Sequence, residues 1–351
     1  MPTTTIRVRY PRTHGDVGLR GSAPLRWDST TPPTRHEGNV SVFELEVTDG
    51  VLVEFKAVRQ DGRFSGGRNH TVLAGETARA EPYFDATTGS LDAEPKSIRS
   101  PQLGRDLRYR VFLPPSYREN EGRSYPVLYA QDGQSLFADS RDPFDGSSWC
   151  LDGTLDELWD LGAIDEMIVV AVHTDEDRLA ILSPSPDPDH GGGRGPDYLS
   201  FLTDTLKPFV DTFFRTMRDP ESTAVMGSSM GGLFSFYAAW TRHDVFGKAA
   251  CLSSSFWWNR RWMIHEVERD FCPVPPPLLY IDSGAAKNAT EEDANLRDGY
   301  HHTMALRKAL VGHCYMPGTN LHVLAFPGHR HDNASWAARL GVPLQLLFPP
   351  A

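Results

Sequence analysis

Apolar and polar positions follow two different rhythms along this chain, and the change between them falls near residue 90. Up to residue 84, short alternating runs (Ile6-Val8-Tyr10, Val40 to Val47, Val51 to Val58) are split by Gly, Pro, Asp and Asn. Period two broken by turn residues predicts a small antiparallel β-sandwich. From Leu107 onward, apolar runs occur at Tyr109 to Leu113, Val127 to Ala130, Met167 to Val172, Thr223 to Met226, Ala249 to Leu252, Leu278 to Ile281 and Leu321 to Phe326. Between them lie helix-length segments, among them Leu151 to Leu161, Tyr198 to Phe214, Leu233 to Arg242, Leu296 to Val311 and Asn333 to Leu347. Continuous apolar strands between amphipathic helices predict an α/β fold, a mostly parallel sheet with helices on both faces. The expected organisation is therefore a β module over 1–84, a polar linker over 85–104 and the α/β domain over 105–351. No internal repeat is visible.

Composition narrows the function classes. The chain has 351 residues, enough for two domains, and 40% of them are hydrophobic. A net charge of −11 excludes the clustered basic face of a nucleic-acid binder. No apolar run approaches the ~18 residues of a membrane span, and the first ten residues do not read as a secretory leader. Cys150, Cys251, Cys272 and Cys314 show no paired spacing. That speaks against a disulfide framework or zinc ribbon and for a reducing, cytoplasmic setting. Homo-oligomerisation is left open.

The strongest chemical signal is Gly227-Ser228-Ser229-Met230-Gly231, a Gly-x-Ser-x-Gly set between a buried strand and an apolar helix. A serine on that tight turn stands at the carboxyl edge of the sheet, and glycines let strand and helix approach. The helix amino terminus beneath it favours developing negative charge, with the N–H of Met230 as one oxyanion donor. The loop after the strand Val127 to Ala130, Gln131-Asp132-Gly133-Gln134, is placed to supply the second donor from Gly133 or Gln134, with Asp132 tying the loop together.

An α/β-hydrolase delivers serine, acid and histidine in that chain order. His329 and His331 both follow the last strand, where a loop overhangs the carboxyl edge. Acid candidates after Leu278 to Ile281 are Asp282, Glu291, Glu292 and Asp293. A metal site on His329, His331 and Asp332 lacks a matching second cluster, so neither metal nor cofactor is expected. Trp257 and Trp258, after the strand that follows the elbow helix, are candidates for an aromatic pocket wall or for core packing, and Trp149 and Phe137 are similar. The Gly-rich stretch from Pro184 to Pro196 lacks the Gly-Lys-Ser/Thr ending of a phosphate loop.

At these motifs the chain resembles the enterochelin-esterase and esterase D type of α/β-hydrolase. The resemblance spans about residues 95 to 348. It rests on Arg110 to Tyr117, Tyr125 to Gln134, Ser228 to Leu233, Leu252 to Trp258 and His331 to Leu340. In that group the last block carries the catalytic histidine, which maps the role onto His331 rather than His329. It favours Asp293 over Asp282 as the acid and implies a small-molecule ester as substrate. Four departures imply a less polar pocket: Ile181 and Leu182 where relatives carry glutamate and tyrosine, and Asn333 and Thr205 where they usually carry glutamate. Together with the open choice of acid, they motivate an alternative, a catalytically weak ligand-binding protein. The first 84 residues resemble a starch-binding β-sandwich, with Trp27 and Phe64 as the aromatic positions and a docking or shaping role over the active site as the expectation.

Overall fold

The computed structural model describes residues 1–142, 146–285 and 298–350. The amino-terminal strands are β1 (Thr3–Arg9), β2 (Val17–Gly21), β3 (Arg35–Glu37), β4 (Val40–Glu46), β5 (Leu52–Arg59), β6 (His70–Leu73) and β7 (Thr77–Ala80). They form a four-stranded sheet in the order β3-β4-β1-β7 and a three-stranded sheet in the order β2-β5-β6. Alternate positions such as Ile6, Val8, Leu19, Phe43, Val53 and Phe55 point between the sheets and make their shared core. Trp27 and Phe64 are exposed and belong to no core, and the Arg20 guanidinium covers the Phe64 ring at 5.4 Å.

The stretch expected as a linker is partly strand. β8 (Ser90–Leu91) and β9 (Lys96–Ser100) both pair antiparallel with β10 (Arg105–Leu113). They extend a nine-stranded sheet with β11 (Val127–Gln131), β12 (Ile168–Val172), β15 (Thr223–Ser228), β16 (Lys248–Leu252), β17 (Leu278–Ala285) and β18 (Leu321–Pro327). Its order is β18-β17-β16-β15-β11-β12-β10-β8, and every pairing from β12 to β18 is parallel. The polar composition of 85–104 hid these strands because they sit at the sheet edge, where one ladder and half-buried side chains suffice. A two-residue hairpin, β13 (Pro186–Asp187) with β14 (Gly191–Gly192), lies outside the main sheet.

Nine helices are described: α1 (Leu151–Asp160), α2 (Arg178–Leu182), α3 (Gly195–Phe201), α4 (Lys207–Phe213), α5 (Met230–Thr241), α6 (Trp258–Arg269), α7 (Tyr300–Val311), α8 (Asn333–Arg339) and α9 (Gly341–Leu347). Separate apolar clusters lie on the two sheet faces. The expected helix Tyr198 to Phe214 is interrupted by a π turn, Leu202–Leu206. Pro208, with no N–H, cannot complete the usual ladder there. Helix α6 carries Asn, Arg, His and Glu around only four buried side chains, so its sequence shows little helical periodicity. Contrary to the reading of unpaired cysteines, Cys272 and Cys314 form a disulfide across 42 residues. They follow α6 and α7, two helices that pack together, which spacing along the chain does not reveal. Among the described residues no helix is long and apolar enough to cross a membrane.

The β module sits at the amino-terminal ends of the parallel strands, not over their carboxyl edge. Glu119, in the turn between β10 and β11, accepts hydrogen bonds from the Phe84, Asp85 and Ala86 N–H groups and from the Tyr10 hydroxyl. Asn120 donates to Pro82 O, and Arg123 pairs with Glu81. All three anchors precede β11, so the expected shaping role over the active site is not met.

Candidate active site

β15 is buried along its whole length and passes through Ser229 directly into α5. Ser229 has φ 55° and ψ −119°, a conformation few non-glycine residues adopt and one that points its hydroxyl out of the turn. Two neighbours must be glycine for this. A Cβ on Gly227 would lie 2.6 Å from the Gly231 backbone, and one on Gly232 would lie 2.3 Å from Ser254 Oγ. The amino end of α5 therefore sits against the nucleophile's own residue, with Met230 as its first turn.

His331 is carried by the loop between β18 and α8. Asp332 caps α8, its carboxylate accepting from the Ser335 N–H at 2.8 Å, and this fixes the loop beside the sheet edge. The His331 ring stands edge-on to Trp336 at 5.1 Å. Its Nε2 lies 2.9 Å from Ser229 Oγ, and its Nδ1 lies 2.6 Å from Asp298 Oδ1. Asp298 is fully buried. Burial opposes its charge, yet the hydrogen bonds and charge of His331, with bonds from the Ser253 hydroxyl and Gly284 N–H, hold the carboxyl below its ordinary range.

The carboxylate at the histidine is thus Asp298, and neither expected acid. Asp282 is turned away into a bidentate pair with Arg339, at 3.0 Å to each oxygen. Asp293 lies outside the described residues. Asp298 stands just before Gly299 and α7, so the last acid before that helix was the signal to follow. His329 faces away, its Nδ1 3.1 Å from Ser335 O. His329 and Asp332 hence bond the Ser335 backbone, while His331 alone faces Ser229 and Asp298. Among the described residues no cluster of three or more metal-ligating side chains occurs.

The loop after β11 begins with Asp132 in a left-handed conformation (φ 60°). Its carboxylate receives Arg178 through two bonds, of 2.7 and 2.8 Å, and the Thr174 hydroxyl at 2.5 Å. Gln134 accepts from the Thr174 N–H at 3.2 Å. Gly133 packs so close to β12 that a Cβ would meet His173 Cδ2 at 2.8 Å. Asp132 ties the loop, as expected, and Arg178 is the partner that sequence reasoning missed.

A cavity of about 290 Å³ opens over Ser229 and His331, lined also by Asp132, Gln134, Arg178, Trp149 and Trp336. Trp149 is oriented by a 2.8 Å bond from Nε1 to Asn333 Oδ1 and leans on Trp336 at 5.7 Å. These two tryptophans form the aromatic wall, in place of Trp257 and Trp258. Trp258 is 1% exposed and donates to Ser185 O, while Trp257 is 41% exposed and meets His190 edge-on. Ile181 and Leu182 are buried in the core under the sheet face, so they do not make this cavity less polar.

The profile of the family described as "Putative esterase" matches residues 100–340. The chain belongs to that family. Among its relatives, the uncharacterized protein YbbA of Bacillus subtilis is 29% identical over 170 residues, covering 47% of this chain and 63% of that protein. A siderophore enterobactin esterase of Emericella nidulans is 34% identical over 85 residues, 24% of this chain and 28% of its own. The chain thus spans less than two thirds of the length of these curated relatives. The enterobactin esterase FES from Shigella flexneri shares the fold with a TM-score of 0.55 at 15% identity, over 98% of this chain and 92% of that one. The fold likeness therefore extends through the amino-terminal β module.

Proposed function

We propose that this member of the family is a serine hydrolase that cleaves carboxylic esters through an acyl-enzyme. The observation that carries the reading is the unbroken line of short contacts from Ser229 Oγ through both nitrogens of His331 to Asp298. In the proposed reaction His331 Nε2 takes the hydroxyl proton as Ser229 Oγ attacks the acyl carbon. Asp298 holds the Nδ1–H tautomer and offsets the imidazolium charge. The Met230 N–H, with that of Gly133 or Gln134, receives the oxyanion at the amino end of α5. His331 then returns its proton to the leaving alcohol, and water, activated by the same nitrogen, releases the acid and restores Ser229. No step needs a cofactor.

The names of the relatives direct the first substrates to try toward siderophore esters, and the solved ferulic acid esterases add feruloyl esters. The binding-protein alternative drew on the changed pocket residues and on the open choice of acid; the core position of Ile181 and Leu182 and the contact of Asp298 with His331 favour the hydrolase over it. The test is labelling by a fluorophosphonate, alongside hydrolysis of p-nitrophenyl acetate and an ester panel. Wild-type protein is expected to label and turn over, and Ser229→Ala to do neither. Undiminished hydrolysis by Ser229→Ala would defeat the reading.

A further inference from the structure

Behind the triad acid lies a closed group of charges that the triad itself does not require. Arg339, on α8, is buried to 1% side-chain exposure beside Asp282 and Asp298, both at 0%. Its Nε and Nη2 each lie 3.0 Å from an oxygen of Asp282, and Nη2 lies 3.5 Å from Asp298 Oδ2. The Ser253 hydroxyl joins the two halves. It donates to Asp298 Oδ2 at 2.5 Å and accepts from Arg339 Nη2 at 2.5 Å and Trp336 Nε1 at 2.9 Å, which uses its full bonding capacity. Asp282 is completed by the Tyr280 hydroxyl at 2.8 Å and the Ser253 N–H at 3.0 Å.

Burying such a pair is expensive, and apolar side chains of equal volume would hold α8 to the sheet at least as well. What the pair changes is the charge count. Burial raises the Asp282 carboxyl, opposed by the Arg339 charge and the bonds from Tyr280, Arg339 and Ser253; with both carboxylates ionised, Asp298, Asp282 and Arg339 together carry one net negative charge, which protonation of His331 brings to zero. Without Asp282 the remaining pair, Asp298 and Arg339, is neutral before His331 is protonated. Without Arg339, two carboxylates share one dry site and compete for a proton. The other titratable groups here, Tyr280 and the Cys251 thiol, are uncharged, with burial raising both. Arg339 is therefore the standing cation of this group, and His331 joins it only on taking the serine proton.

We propose that Asp282 and Arg339 are positioning residues of the triad: Asp282 neutralises Arg339, so that one uncompensated negative charge, on Asp298, meets His331 as it becomes imidazolium. This rests on the hydrolase reading above. Stabilisation realised only once the proton has moved accelerates the chemical step without tightening substrate binding. A merely structural pair would affect melting and leave the titration of activity alone.

The test compares full-length wild type, Asp282→Asn and Ser253→Ala in kcat/KM for p-nitrophenyl acetate across the pH range, with melting temperatures and fluorophosphonate labelling. In Asp282→Asn, uncompensated Arg339 is expected to move the acid limb about one unit toward lower pH and cut plateau kcat about tenfold. KM is expected to stay within about twofold of wild type, as for an effect confined to the transition state. Ser253→Ala, a small change that removes the hydroxyl bridge, is expected to lower plateau kcat likewise, and it decides the question if Asp282→Asn does not fold. Folded variants that melt lower yet show the wild-type pH profile and kcat overturn the proposal. Wild type that neither labels nor turns over any ester removes the hydrolase reading first and this proposal with it, a result separable from the former.

Discussion

Arg178 holds both carboxylate oxygens of Asp132, Nε at 2.7 Å from Oδ1 and Nη2 at 2.8 Å from Oδ2. Arg178 opens α2, after β12, and Asp132 stands in the loop after β11, so their pairing locks the Gly133-Gln134 turn against the neighbouring strand. The same Nη2 lies 3.4 Å from Ser228 O, which ties this loop to the nucleophile's turn. Lysine in place of Arg178 keeps the charge and loses the fork. Arg178→Lys is expected to lower kcat about 10- to 100-fold with little change in KM, since displacing a catalytic donor by about 1 Å costs on that order. Steady-state kinetics on p-nitrophenyl acetate check it, and an unchanged kcat would remove Arg178 from loop positioning.

Asp298→Asn keeps the shape of the acid and removes its charge. The amide can leave the wrong nitrogen of His331 protonated, and kcat is expected to fall by about 10⁴ with fold and KM preserved. Circular dichroism and kinetics on the same preparation distinguish this from unfolding. If Asp298→Asn stays within tenfold of wild type, the acid lies elsewhere.

His173, under the Gly133 turn, is buried without hydrogen-bond partners at either ring nitrogen. Burial pulls its pKa down from the ordinary 6.5 to about 4. As pH falls below 6.5 the unfolded chain binds a proton there that the folded chain refuses until about 4, so stability is lost across that window. One such group amounts to about 3 kcal/mol over the window. His173→Gln, which cannot titrate, is expected to flatten the fall of stability between those pH values by up to one proton. Chemical denaturation at a series of pH values reads the slope, and an identical slope in both proteins would remove His173 from the acid response.

Glu119→Ala leaves the Phe84, Asp85 and Ala86 N–H groups without their acceptor at the module contact. A loss of about 2–4 kcal/mol is expected, because each buried unpaired donor costs about 1–3 kcal/mol. Because this contact lies at the far ends of the strands from Ser229, kcat/KM is expected to change less than about twofold at temperatures where the variant stays folded. Calorimetry and kinetics together test both halves, and a large kinetic effect at full folding would couple the module to the site.

The legible part of this protein was whatever depended on local pattern. The buried run before Ser229, the glycines around it and the apolar helix after it encode a strained turn that few other arrangements satisfy. His331 was legible because its loop follows the last strand. The acid was not. Asp282, Glu291, Glu292, Asp293 and Asp298 crowd one segment of sequence, and only the tertiary contact of Asp298 with His331 identifies the carboxylate at the histidine. The tryptophans failed for a related reason. Trp257 and Trp258 lie at the right strand end, but Asn259, Arg260 and Arg261 have φ of 43°, 53° and 66°, and the Trp258 indole bonds Ser185 O in the core. Trp149 and Trp336, 187 residues apart in number, meet through Asn333, a tertiary contact with no sequence signature. β8 and β9 were missed because an edge strand needs little hydrophobicity.

The seat of the β module has a practical corollary. The six residues of β15 separate it from Ser229 by about 20 Å of sheet. A solid support, a display anchor or a fused partner attached through Met1 would therefore meet the chain at its base and leave the cavity over Ser229 facing the solution. Attachment near Trp149 or His331 would crowd that opening instead.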